Sequence, residues 1–277
     1  MTTGTPNSSR PILRVCGLRK QYARRNAPWR RSTPVVAVDG VDFEIGAGKT
    51  LALVGSSGSG KSTIARCVTR LERPDGGEIW LGETEISHLS SRQLRQFRSE
   101  IQMIFQDPST AMNPSFSAAE AIEEPLLIQK RGNAEERRRR AVELMEEVGL
   151  SSNWADRKVM AFSGGQRQRI AIARALAIEP KVLVLDEAFS GLDLSTQAQI
   201  ANLLLDLQAA YSLAYLVISH DLGLVAKIAD DVAVIANGRI VEWGTTSAIV
   251  GNAQHAETQR LLTSRGTLRR SAAGAGR

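Results

Sequence analysis

The sequence predicts an α/β fold, a mixed β core interrupted by an inserted α-helical subdomain. Three observations predict it. Short uninterrupted apolar runs such as Val182–Leu185 read as strands covered on both faces. From Gln166 onward such runs alternate with segments of helical periodicity, the rhythm of a sheet layered with helices. Between about Gln93 and Gly164 the texture is instead mostly helical, which marks an insertion into the core.

The elements follow in order. Residues 1–11 (MTTGTPNSSRP) are polar and expected to be disordered, as is the tail 263–277, and a single folded domain is expected over 12–262. Ile12–Val15 reads as a strand, and the basic, Pro-containing stretch Ala23–Pro34 as a loop insertion. Val35–Ile45 alternates like a half-buried strand and stops at the turn Gly46-Ala47-Gly48. Thr50–Val54 is a short apolar strand and Ser62–Leu71 a helix. In the inserted subdomain, about 93–164, Ile101–Phe105 reads as a strand and loops are expected around Pro108, Pro114 and Pro125. Asn133 is an N-cap with Glu135 and Glu136 in the first turn, where the helix dipole favours acids. The run Arg137–Arg140 points around a full turn and reads as mainly a solvated face. Gln166–Ile178 is a helix ending before Pro180, and Thr196–Tyr211 one with Ile200, Leu203, Leu204 and Leu207 on a single stripe. Strand Tyr215–Ser219 precedes a helix capped by Asp221, and Asn237-Gly238 joins Val232–Ala236 to Arg239–Glu242 as a hairpin.

Composition removes several function classes. The chain has 277 residues, 43% hydrophobic and 23% charged, an ordinary globular balance. No apolar run approaches the ~18 residues of a membrane span; the most apolar region, Ile170–Leu185, is broken by Arg174, Glu179 and Lys181. The N-terminus lacks the apolar core of a secretory signal, so none is expected. Cys16 and Cys67 have no disulfide or metal-site spacing and read as free thiols in a reducing cytoplasm. The net charge is +6, yet residues 1–38 hold eight bases and no acid, and residues 256–277 five bases and one acid. The body between is therefore mildly acidic, which argues against a nucleic-acid groove; the basic tails are either simply solvated or drawn to an anionic membrane surface.

Gly55-Ser56-Ser57-Gly58-Ser59-Gly60-Lys61-Ser62-Thr63 fits G-x-x-x-x-G-K-[ST] directly after a strand and at the start of a helix. Glycines let successive N–H groups point inward and, with the helix dipole, cradle nucleotide phosphates. Lys61 is placed to reach the β- and γ-phosphates, and the Ser62 hydroxyl to bind Mg²⁺. The strand Val182–Leu185 runs into Asp186 and Glu187. Acids at such a strand end sit where ligands bind an α/β sheet. Asp186 is expected to partner Mg²⁺, and Glu187 to orient or deprotonate the attacking water. These two motifs alone describe a P-loop nucleoside triphosphatase.

A third motif narrows the class. Ser163-Gly164-Gly165-Gln166-Arg167-Gln168-Arg169 resembles the signature sequence of ABC ATPases, with Phe162 where most members carry leucine. Physically it is a second helix N-terminus with open glycines, suited to an anion. The resemblance implies that this signature closes on ATP held by a second ATP-binding subunit. It also implies an antiparallel β subdomain beside the core, ATP and Mg²⁺ as cofactors, and transmembrane permease subunits as partners. Gln106 resembles the glutamine that senses Mg²⁺ and water, Ser190-Gly191-Leu192-Asp193 the D-loop, and His220 the switch histidine at the γ-phosphate. Tyr22 resembles the aromatic that stacks on adenine, while His88 and His255 are read as structural.

Within that family, Gln106-Asp107-Pro108, Met112-Asn113-Pro114, Glu124-Pro125 and Asp186-Glu187-Ala188 resemble the dipeptide, oligopeptide and nickel importer branch. His255-Ala256-Glu257-Thr258 resembles that branch's His-Pro-Tyr-Thr tail without the Pro-Tyr pair. The implied function is the ATP-hydrolysing subunit of an importer for di- or oligopeptides or nickel. It would sit peripherally on the cytoplasmic membrane face, serve a substrate-binding protein indirectly, and bind no nucleic acid. Alternatives are an exporter subunit, or a non-transport ATPase acting on nucleic acid or the ribosome. The segment Asp107–Pro125, with Met112, Phe116 and Leu126 read as exposed, is the expected partner-facing surface.

Overall fold

The computed structural model describes residues 10–23 and 34–263. Most of the tails expected to be disordered, and most of the 23–34 insertion, thus lie outside the described residues. In chain order the elements are β1 (Leu13–Tyr22), β2 (Val35–Ile45), β3 (Thr50–Val54), α1 (Lys61–Val68), β4 (Gly76–Leu81), β5 (Thr84–Glu85), α2 (Ser91–Leu94) and β6 (Ile101–Ile104). There follow α3 (Ala118–Ile128), α4 (Ala134–Glu147), α5 (Gly164–Leu176), β7 (Val182–Asp186), α6 (Leu194–Tyr211), β8 (Ala214–Ser219), α7 (Leu222–Ile228), β9 (Asp231–Ala236), β10 (Arg239–Thr245) and α8 (Thr246–Gly251). The chain divides into two compact units, Met1–Arg92 with Ala214–Arg277, and Gln93–Leu213.

The first unit holds an antiparallel sheet in the order β2-β1-β4-β5. β2 buries alternate residues from Val41 to Ile45 (Val41, Phe43, Ile45) against this layer's core, while Val38 is buried out of step where the register with β1 shifts. β4 and β5 carry no strong sequence signal, because Gly76-Gly77 opens β4 and only Ile79 and Leu81 point inward. β1 runs to Tyr22, well beyond the expected Val15, because pairing with β2 on one side and β4 on the other satisfies its backbone despite register shifts. In the same unit β10, β9, β3 and β8 lie side by side in that order. β3 is parallel to both neighbours, with Val54 opposite Ser219 of β8 and Val234 of β9. Every residue of β3 and β8 is buried, which explains their unbroken apolar runs. The hairpin β9–β10 turns at Asn237 (φ 49°) and Gly238 (φ 77°), the left-handed pair that an Asn-Gly turn supplies.

The second unit packs α3, α4 and α5 together and pairs β6 with β7 in parallel, Ile104 opposite Leu185. Its helices are started by side chains. Ser117 and Glu120 form a reciprocal capping box on α3, Asn133 and Glu136 on α4, and Ser163 and Gln166 on α5. Each cap contributes about 1 kcal/mol.

Three expectations change here. Pro125 lies inside α3, not in a loop: the bond its missing N–H forfeits is outweighed by the capping box and by Ala118, Ala119, Ile122 and Leu126 buried on one face. Met112 and Leu126 are buried at 5% and 6% exposure and Phe116 is half-buried, so the expected apolar partner-facing set is tucked into the unit. The large apolar side chains left exposed near it are Leu127 and Ile128 at the end of α3. The arginine run is less solvated than expected, since Arg138 pairs with Glu123 and Asp156 and Arg140 with Glu143 and Glu147.

Candidate functional site

In the first unit, β3 delivers Gly55 to the end of the sheet, and the loop to Lys61 turns into α1. Its glycines are required for different reasons. A Cβ on Gly55 would stand 2.2 Å from the Ile235 carbonyl oxygen of β9, so backbone packs where a side chain would sit. Gly60 has φ 109° and its Cβ would fall 2.2 Å from the Ala37 carbonyl oxygen. Gly58 has open space around it but φ 78°, so its need is purely conformational. Lys61 is 5% exposed, and its Nζ donates to the carbonyls of Gly55 and Ser56 at 2.8 Å each and to Ser59 Oγ at 3.4 Å. The ammonium is thereby held under its own loop, whose N–H groups and helix end favour an anion. Ser56, Ser57 and Gly58 are exposed, Ser59 is buried, and Ser62 and Thr63 are half-buried on the first turn of α1.

The parallel register places one more candidate residue at this end. Because Val54 opposes Ser219, the residues that follow, Gly55 and His220, leave the sheet together. His220 is exposed, while Ser219 Oγ accepts from the Asp221 N–H, and Asp221 in turn accepts from Gly223 and Leu224 to start α7. Tyr22 ends β1 beside α1. Its hydroxyl donates to the Glu72 carboxylate and is hydrogen-bonded by Thr63; burial and the Glu72 carboxylate push the phenol above its ordinary value. Lys20 Nζ lies 5.6 Å from the Tyr22 ring centre.

In the second unit the pairing of β6 with β7 does the same work. Ile104 opposite Leu185 brings Phe105-Gln106 and Asp186-Glu187 off adjacent strands at one end. Asp186 is buried at 8% exposure, and Gln106 is exposed. Glu187 adopts φ 48°, unusual for a side-chain-bearing residue and a strained turn start. Ser190 holds that turn: its N–H donates to the Glu187 carbonyl at 2.9 Å and its Oγ to Glu187 Oε2 at 3.3 Å. Ser190 stands in the sequence only as part of a loop motif; its grip on Glu187 is visible only in the fold.

Ser163 caps α5, with Gln166 bonding back to the Ser163 N–H at 3.0 Å, and both Ser163 and Gly164 are exposed. Gly165 has a packing role, since its Cβ would stand 2.4 Å from Thr196 Cγ2 of α6. Asp193 caps α6, accepting from Thr196 N–H at 2.9 Å and Thr196 Oγ1 at 2.7 Å, and these bonds hold its carboxyl below the usual range. A cleft of about 320 Å³ in this unit is lined by Gln106, Pro108, Gly164, Gln168, Ser190 and Leu192 among others.

In the first unit the glycine loop with its curled lysine, ahead of a helix, has the form of a P-loop; in the second unit buried Asp186 ends β7 and half-buried Glu187 follows it. Comparison with known proteins carries the identification further. The ABC transporter family model matches residues 38–190. The chain is 43% identical over 261 residues to the dipeptide transport ATP-binding protein DppF of Haemophilus influenzae, covering 94% of this chain and 80% of that one. It is 46% identical over 253 residues to the glutathione import ATP-binding protein GsiA of Salmonella typhimurium, 91% of this chain but 41% of that longer one. Among solved structures, a dimeric ATP-binding cassette in a post-hydrolysis state bound to ADP and phosphate superposes with TM-score 0.75 at 28% identity, covering 85% of this chain and 99% of that. CbiO1 of Clostridium perfringens, part of an ABC transporter complex, gives 0.77 at 26%, covering 96% and 98%. The chain belongs to the ABC transporter family, as an ATP-binding, ATP-hydrolysing cassette.

Proposed function

We propose that this chain energises a membrane importer of small peptides. The observation that carries the reading is its 43% identity to dipeptide transport ATP-binding proteins across 94% of this chain and 80% of theirs. Residues 12–262 act as one cassette, with 93–164 as its helical subdomain. The loop Gly55–Thr63 holds the ATP phosphates through its N–H groups, with Lys61 exchanging its loop carbonyls for phosphate oxygens. Tyr22 stacks on adenine. Glu187 takes the proton of the attacking water, Gln106 orients that water, and His220 donates to the γ-phosphate. Ser163, Gly164, Gly165, Gln166 and Asp193 meet the nucleotide of a second ATP-binding subunit.

Ser62, Gln106 and Asp186 offer a hydroxyl, an amide oxygen and a carboxylate, a hard all-oxygen donor set that fits Mg²⁺ and leaves places for phosphate oxygens and water. When bound, Mg²⁺ would neutralise charge on the phosphates. Among the described residues no helix is long and apolar enough to cross a membrane. In this reading the chain works on partner permease subunits at the cytoplasmic membrane face. A substrate-binding protein would deliver peptide to those permeases, and no nucleic acid is involved.

The test reconstitutes the chain with its permeases in vesicles and follows labelled dipeptide. Lys61→Ala should abolish turnover and weaken ATP binding. Glu187→Gln should retain ATP and accumulate the dimer while uptake stops. ATP-dependent uptake of nickel but not peptide, or normal turnover in either variant, would refute the corresponding part.

A further inference from the structure

We propose that Gln168 is a positioning residue for ATP hydrolysis: its side-chain amide, unpaired among the described residues, donates to a main-chain carbonyl of the 188–191 turn once nucleotide is bound and so holds Glu187 in place; this rests on Glu187 acting as the base. Gln168 lies one helical turn beyond Gly164 and Gly165, on the same face of α5. That face is pressed onto the segment after β7: a Cβ at Gly164 would sit 3.5 Å from Leu192 Cδ2, and one at Gly165 2.4 Å from Thr196 Cγ2. Gln168 is 2% exposed, and its Nε2 is buried with no hydrogen-bond partner among the described residues. It lines the cleft together with Ala188, Ser190 and Gly191.

A buried amide donor left unpaired is costly, and an apolar side chain of the same shape would remove that cost. The turn it faces is the one that fixes the base. Ser190 grips Glu187 through both N–H and Oγ, and Glu187 itself is held in a left-handed conformation. A donor that engages this turn therefore sets the direction of the Glu187 carboxylate without touching ATP. Phe189 O and Leu192 O already accept from Gln197 Nε2 at 3.1 Å each, so the turn is anchored on its α6 side; the proposed bond from Gln168 adds the hold from α5.

The experiment compares Gln168→Met, of similar shape with no donor, and Gln168→Glu, which replaces the donor by an acceptor, in the full chain. ATP turnover, fluorescent-nucleotide binding and thermal melting are measured on each, with Glu187→Gln alongside. Both Gln168 variants should lower kcat about tenfold, the effect of one charge-orienting hydrogen bond, with KM within about twofold. Gln168→Met should melt no lower than the parent, because it removes an unpaired donor. Parental kcat in Gln168→Met overturns the proposal, as does a fall in kcat that tracks a fall in melting temperature. Normal turnover in Glu187→Gln would overturn the assignment of the base and this proposal with it, whereas failure of the Gln168 variants alone leaves Glu187 standing.

Discussion

Replacing Gly165 by alanine tests how the signature helix is seated. The new Cβ would lie 2.4 Å from Thr196 Cγ2, well inside the ~3.5–4.0 Å of carbon contact, while Thr196 Cβ and Oγ1 stand at 3.8 Å, an ordinary distance. The overlap therefore involves one methyl group. Overpacking of this kind costs about 1–3 kcal/mol. Alanine's better helix propensity returns less than ~1 kcal/mol, since Gly165 is only the second residue of α5. Thr196→Ser deletes the offending methyl and keeps the hydroxyl that donates to Asp193 Oδ2 at 2.7 Å. By itself that change should cost somewhat under ~1 kcal/mol for the lost methyl. The double variant should then sit near the parent, a favourable coupling of about 1–3 kcal/mol in a double-mutant cycle. Thermal melting at ~2–4 °C per kcal/mol resolves this, with ATP turnover recovering in parallel. Strictly additive losses would refute the reasoning, because no packing conflict would then link the two positions.

Other outcomes follow from single features. Cys67 is wholly buried in α1, and burial first, then the Glu72 carboxylate, pushes its thiol up to about 12, so a thiol reagent at neutral pH should label Cys16 and spare Cys67 until the chain unfolds; rapid double labelling of the native chain would contradict this. Gly60→Ala combines φ 109° with a Cβ 2.2 Å from the Ala37 carbonyl, so ATP affinity should fall at least ~10-fold, and unchanged nucleotide titration would disprove it. Glu242 accepts from the N–H groups of Gln254 and His255 at 2.8 and 3.0 Å and from the Thr258 hydroxyl. Burial alone would raise its carboxyl, but these bonds prevail and hold it low. Its grip on residues 252–263 is therefore present at neutral pH and lost as pH falls through that lowered value. NMR between about pH 6 and pH 3 should show these residues loosening, and Glu242→Gln should show no such pH step.

Much of this protein was legible locally. Gly55, Gly60, Lys61, Asp186 and Glu187 stand out in the sequence because the proposed phosphate cradle and strand-end acid pair need particular residue types at fixed spacing. Asn133, Ser163 and Asp221 were readable as helix starts because a cap is a bond between near neighbours, whereas the cap at Ser117 was hidden in a segment read as loop. The hairpin at Asn237-Gly238 needed only its left-handed turn.

What the chain alone left open depends on partners distant in sequence. β1 continues to Tyr22 because β2 and β4 flank it, and β4 exists because β1 does; neither follows from its own residues. Pro125 stays helical, and Met112 and Leu126 disappear from the surface, because burial against α4 and α5 outweighs local preference. The parallel registers that release Gly55 beside His220, and Gln106 beside Glu187, are likewise tertiary facts. So are the clash that reserves position 165 for glycine and the unpaired amide of Gln168 behind the Glu187 turn. Motif identity is a short-range property of the sequence; which side chain touches which is decided only when segments distant in the chain pair and pack.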